Sequence, residues 1–191
     1  DAFLDTYTLE RSRGITIFSK QANFVLGDKQ VTLLDTPGHV DFSAEMERTL
    51  QVLDYAILVV SGADGVQGHT RTLWNLLARY QVPTFIFINK MDQDGTNRQD
   101  RLAELKRKLS GECVDFTEAG EEFLEELSMC DETVMESYLE NGEITASQIQ
   151  TLIRERKVFP CYSGSALKLE GVQELPVSYT HLRAHETEAD L

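Results

Sequence analysis

Two uninterrupted apolar runs, at residues 55–60 (YAILVV) and 84–88 (TFIFI), constrain this chain more than any other feature. Each is too short for a helix of ordinary length, and neither alternates apolar with polar. That pattern predicts parallel strands buried on both faces. Helical spacing fills the gaps around them. Met46, Leu50 and Leu53 share one face over residues 43–53, and Leu73, Leu76 and Leu77 lie on one side over residues 70–80. Pro83 opens the second run. A charged helix over residues 98–109, an acidic helical region, a helix near residues 147–156 and a strand over residues 158–163 complete the series. Strands alternating with helices of this length predict an α/β fold, a mostly parallel sheet with helices on both faces. Ahead of it, residues 15–26 and 31–34 suit two strands, and Gly27-Asp28 between them reads as a hairpin turn.

A chain of 191 residues suffices for one such domain. Its apolar stretches are far too short to cross a bilayer. No basic segment followed by an apolar one opens it, so no signal peptide or membrane partner is expected, and a cytoplasmic location is. The net charge of −14 argues against bulk attraction to nucleic acid. Its distribution is uneven: residues 112–143 hold twelve carboxylates and no Lys or Arg, which leaves about −2 for the remainder. That stretch reads as a solvated acidic helical insert, with a surface for a basic partner as the alternative. Cys113, Cys130 and Cys161 lack metal-ligand spacing and read as free thiols, with structural zinc the second reading.

The end of the chain breaks the pattern. Residues 177–187 (VSYTHLRAHET) correspond codon by codon to a frame of the transposon adapter used in sequencing libraries. Residues 177–191 are therefore read as adapter-derived and residues 1–176 as one partial domain. His181 and His185, four apart, would otherwise suggest a metal-binding helix and are set aside.

Holding a nucleoside triphosphate with magnesium requires a phosphate cradle, metal ligands, a γ-phosphate sensor and a base pocket. Open α/β sheets gather such parts at the carboxyl ends of their strands. Asp35-Thr36-Pro37-Gly38-His39 follows the strand ending at Leu34. An Asp there can hold magnesium, usually through water, and the Gly38 amide, with no Cβ beside it, can approach a γ-phosphate oxygen. Asn89-Lys90-Met91-Asp92 ends the second apolar run. The Asp92 carboxylate can accept both the N1–H and N2–H₂ donors of guanine, a pair that adenine lacks. A site that leaves polar groups unpaired with the wrong base discriminates strongly. Asn89 can bond the far edge of the base, and the Lys90 stem can lie along the ring. Ser165-Ala166-Leu167 follows the last strand, where a backbone amide could meet guanine O6. Each motif alone also occurs in ordinary turns; their order along the chain carries the reading.

Together these motifs resemble the translational GTPase family, from about residue 9 to about residue 175. The resemblance implies a G domain of the P-loop NTPase type, with GTP as substrate and Mg²⁺ as cofactor. By the same resemblance, Arg13-Gly14-Ile15-Thr16-Ile17 is the first switch segment, with Thr16 on magnesium and its backbone at the γ-phosphate. His39 positions the attacking water, Ile15 is half of an apolar gate restraining it, and Gly38 serves beside it. Thr16 and Asp35 are the implied metal ligands. Asn89, Lys90, Asp92, Ser165, Ala166 and Leu167 are the implied base pocket.

Within the family the segment VDFSAEMERTLQVLDYAILVVSGADGVQGHT fits both elongation factor G and the tetracycline-resistance ribosomal protection proteins. Gln93 after the base-reading Asp, the modest acidic insert and the FPCYSGSA run favour the latter. A protein monomeric off the ribosome, which docks there and uses GTP to release tetracycline, is the implied parent. A translocation factor and a nucleotide-binding scaffold without catalysis are the alternatives. The family's GxxxxGK[ST] loop is not found in this chain. Residues 62–70 (GADGVQGHT) imitate it poorly, with His69 where the lysine belongs. The 191 residues by themselves are therefore expected neither to hydrolyse GTP at a useful rate nor to fold robustly.

Overall fold

The computed structural model describes residues 20–27, 29–36, 43–117 and 120–172. Within them β1 (Lys20–Leu26) and β2 (Lys29–Asp35) form an antiparallel hairpin, with Lys20 opposite Asp35 in register. Gly27, at φ +62°, makes its turn, a left-handed conformation that favours glycine. Thr32 Oγ1 donates to Asn23 Oδ1 across the pair at 2.8 Å.

The second sheet holds β3 (Ala56–Ser61), β4 (Thr84–Asn89), β5 (Cys113–Asp115) and β6 (Phe159–Ser163), in the order β3-β4-β6-β5, all parallel. Helices α1 (Ser43–Leu50), α2 (Gly68–Arg79) and α3 (Arg98–Lys108) cover one face. There Met46, Leu50, Trp74, Leu77 and Leu105 pack on Leu58, Val60, Ile86, Ile88 and Cys161. Helices α4 (Glu121–Ser128), α5 (Glu132–Asn141) and α6 (Ala146–Arg154) cover the other. Leu127, Val134, Leu152 and Ile153 pack there on Phe85, Phe87, Val114 and Tyr162. The strict alternation along β4, Ile86 and Ile88 one way and Phe85 and Phe87 the other, is the two-fold period of a strand buried on both sides. Each such side chain contributes about 1.5–3 kcal/mol through burial.

Three features depart from the sequence-based expectation. Residues 55–60 were expected to be buried on both faces, yet Ile57 is 51% and Val59 58% exposed. The α4–α6 layer packs on β4, β5 and β6 and does not extend over β3. A cavity of about 680 Å³ separates that strand from the hairpin, lined by Phe24, Leu33, Leu34, Met46, Leu50 and Ile57. Residues 113–115, read with the acidic insert, are instead a strand whose Cys113 and Val114 enter opposite cores. The buried anchor of α2 is Trp74 with Leu77, while Leu73 and Leu76 pack at its margin. All three cysteines are free thiols, and burial pushes Cys130 up to about 11.

Helix ends are fixed by local chemistry. Asn97 Oδ1 accepts the Asp100 N–H at 3.1 Å to start α3. Asp131 Oδ1 accepts the Thr133 and Val134 N–H groups to start α5. Thr145 and Gln148 form a reciprocal capping box on α6. Gly142, at φ +73°, ends α5 in the left-handed conformation that closes many helices.

Candidate functional site

Parallel pairing brings the carboxyl ends of β3, β4 and β6 to one edge, at Ser61, Asn89 and Ser163. The chain must turn sharply where β4 stops, and Lys90 adopts φ +63° there, a costly conformation for a residue with a Cβ. Three hydrogen bonds hold it. Asn89 Oδ1 accepts the Lys90 N–H at 2.8 Å and the Ala166 N–H at 2.9 Å. The Met91 N–H donates to the Gly164 carbonyl at 3.0 Å. The Asn89 side-chain oxygen thus ties the loop after β4 to the loop after β6.

The second loop is a pinched turn. Ser165 and Glu170 exchange backbone hydrogen bonds of 2.9 and 3.1 Å. A Cβ on Gly164 would lie 2.1 Å from the Glu170 carbonyl oxygen, so no other residue fits without displacing backbone. Ser165 is 1% exposed, whereas Ala166 and Leu167 face solvent. The Ser165 hydroxyl first, then the Asp92 backbone N–H and Lys168, hold the Asp92 carboxyl below the usual carboxylate range against the opposing effect of burial.

The loop after β3 forms the remaining wall. The Gly62 N–H donates to the Asn89 carbonyl at 2.6 Å, and a Cβ on Gly62 would stand 2.6 Å from Met91 Sδ. Glu104 on α3 anchors this loop from below, accepting the Val66 N–H at 3.3 Å and pairing with Arg101 and Lys108. Burial pushes the Glu104 carboxyl up, but Lys108, the Val66 N–H and Arg101 outweigh it and leave it below its ordinary value. A cleft of about 460 Å³ opens beside Ser61, Asp64, Gln67, His69, Asn89 and Lys90.

Of the residues singled out in the sequence, Asn89, Lys90, Asp92, Ser165, Ala166 and Leu167 come together at this edge. Asp35 stands at the end of β2 on the separate hairpin. Ile15, Thr16, Gly38 and His39 lie outside the described residues, as does the segment from residue 177 onward. Sequence reasoning missed Lys168, whose Nζ lies 3.5 Å from Asp92 Oδ2. It also missed the close-approach glycines Gly62 and Gly164. The signal for Lys168 was a cation directly after the third motif, opposite a carboxylate. Among the described residues, no group of three or more His, Cys, Asp or Glu side chains is placed to hold a metal ion. No described helix is long and apolar enough to cross a membrane.

An open, mostly parallel α/β sheet with its loops gathered at the carboxyl edge defines a class of domain that takes its ligand at that edge. Within that class, the chain belongs to the family of the elongation factor Tu GTP binding domain, which matches residues 1–183. Among curated proteins it is similar to the tetracycline resistance protein TetP of Clostridium perfringens, with 34% identity over 98% of this chain and 33% of that protein. It is also similar to TetM of Streptomyces lividans, at 37% identity over 87% of this chain and 29% of that protein. TetW of Butyrivibrio fibrisolvens shares 37% identity over 93% of this chain and 30% of that protein. The chain thus spans about a third of the length of these relatives. The fold matches the crystal structure of the protein ttk003000868 from Thermus thermophilus with a TM-score of 0.80. The identity is 22%, over 94% of this chain and 34% of that one.

Proposed function

We propose that the edge formed by Asn89, Lys90, Asp92 and residues 165–167 is the guanine pocket of a ribosome-dependent GTPase of the tetracycline-resistance type. One observation carries the reading: Asn89 spends its side-chain oxygen on the Ala166 N–H, which fixes the spacing between the Asp92 carboxylate and the last loop. Asp92 then offers paired acceptors for N1–H and N2–H₂, and the Lys90 stem and Leu167 can lie along the ring. Asp35 is an oxygen donor suited to a hard cation, and with Thr16 it would hold Mg²⁺ at the phosphates. That ion would neutralise charge developing on the transferred phosphoryl group. Gly38 would meet the γ-phosphate. His39, restrained by Ile15, would position water, which matters more than proton removal in a loose transition state. The whole protein would act in the cytoplasm on the ribosome, as a monomer when free, and release tetracycline from it. Family membership and the relatives named for tetracycline resistance support this reading.

Asp92→Asn in the full-length protein tests the pocket. It is expected to weaken GDP binding at least tenfold and to favour xanthosine diphosphate, whose base lacks the N2 donor; unchanged guanine preference refutes the assignment. His39→Ala should leave nucleotide affinity within about twofold and lower ribosome-stimulated hydrolysis by roughly 10²-fold or more. Undiminished turnover in that variant would remove His39 from the mechanism.

A further inference from the structure

The three motifs leave Lys168 without a role. Its backbone is fixed: the Lys168 N–H donates to the Ser165 carbonyl at 3.2 Å and to Ser165 Oγ at 3.4 Å. Ser165 is buried, and the turn it starts is closed by the reciprocal bonds to Glu170. From that backbone the lysine stem lays the ammonium 3.5 Å from Asp92 Oδ2. Lys168 is 52% and Asp92 19% exposed in their side chains, so the pair sits at the rim and not in the core.

An ionised carboxylate offers about four acceptor positions. Guanine N1–H and N2–H₂ would take two of them. The Ser165 hydroxyl and the Asp92 backbone N–H also act on the carboxylate, and the Lys168 ammonium lies 3.5 Å from Oδ2. With these groups around it, the carboxylate has few acceptor positions left over and its rotation is restrained. We infer that Lys168 is a positioning residue for base selection: its ammonium pins one oxygen of Asp92, so that the carboxylate presents a fixed edge to guanine. The inference rests on the assignment of Asp92 to the base. The charged groups of the two loops are Lys90 and Asp94 beside Asp92, and Lys168 and Glu170 on the facing turn. Of these, Lys168 is the one whose charge and hydrogen bond both act on the Asp92 carboxyl.

The consequence is specific to selectivity. A carboxylate free to turn still accepts one donor well but loses the second. Inosine diphosphate, which lacks the N2 amine, should therefore suffer less than GDP when Lys168 is removed. The experiment is calorimetric titration of GDP and IDP into the full-length protein and its K168M, K168R and D92N variants. K168M is expected to bind GDP about threefold to tenfold more weakly, the range open to a partly exposed charged pair. Its GDP:IDP affinity ratio should fall, and K168R should restore both. Thermal melting of K168M should match the parent, because the side chain is half exposed. Parental GDP affinity and an unchanged GDP:IDP ratio in K168M, with guanine preference lost in D92N, would overturn the role of Lys168 alone. Failure of K168R to rescue would overturn it too. Guanine preference retained in D92N would instead remove the pocket assignment beneath it.

Discussion

Arg156 shows how much one residue can hold far from the site. Its guanidinium lies 5.4 Å from the ring centroid of Trp74 and 5.0 Å from that of Phe159. It donates to the Val82 carbonyl and, at 3.0 Å, to Thr84 Oγ1. The residue itself adopts φ +58° just after α6. One side chain thereby joins α2, the start of β4 and the approach to β6, at the end of the sheet opposite the loops. Burial lowers its affinity for a proton. Arg156→Met keeps the stem but forfeits the ring contacts and both charged hydrogen bonds, while the Val82 carbonyl keeps the Thr84 hydroxyl as donor at 2.8 Å. A loss of about 2–3 kcal/mol is expected in a urea unfolding series. Nothing in the sequence pointed to it, because an Arg between a helix and a strand reads as surface. Its hydrogen-bond partners come from residues 74 and 72 positions away.

At the scale of elements, the start of α5 and the approach to β6 share an ion pair that contributes to the behaviour in acid. Asp131 caps α5 and pairs with Lys157 at 2.7 Å. Lys157 first, then Thr133 and the two capping N–H groups, hold its carboxyl well below the usual range; Lys157 is pushed up in return, chiefly by Asp131. The sign follows from linkage. A depressed folded value gives stability that is present above the unfolded pKa of about 3.9 and is lost as pH falls through the folded one. Asp131→Asn should therefore flatten the acid limb of stability below about pH 4, measured as urea midpoint against pH, and parallel limbs in the two proteins would refute this. The larger elements were legible because their patterns are long. β4 is apolar through most of its length, α2 and α6 are strongly amphipathic, and α3 showed as a charged stretch. β5 escaped notice because three residues, one of them Asp115, form no pattern at all. β3 misled because an apolar run reveals hydrophobicity and not which layer covers it: Leu58 and Val60 found helices, Ile57 and Val59 did not.

At the scale of the molecule, the site is divided along the chain. Its first loop ends near Asp92 and its second begins at Gly164, and α3, β5, α4, α5, α6 and β6 intervene. The sequence showed the two motifs separately; it could not show that one amide side chain clamps them, since that bond joins positions 77 apart. Most of the negative charge falls in this excursion, which packs against the sheet face through Leu127 and Val134 and takes no part in the clamp. Local connectivity between the loops is thereby relieved of any positioning duty. New chain termini opened at Gly142, the exposed end of α5, should therefore leave the loops at Asn89 and Ala166 in register, so the chain can be cut there without parting the two.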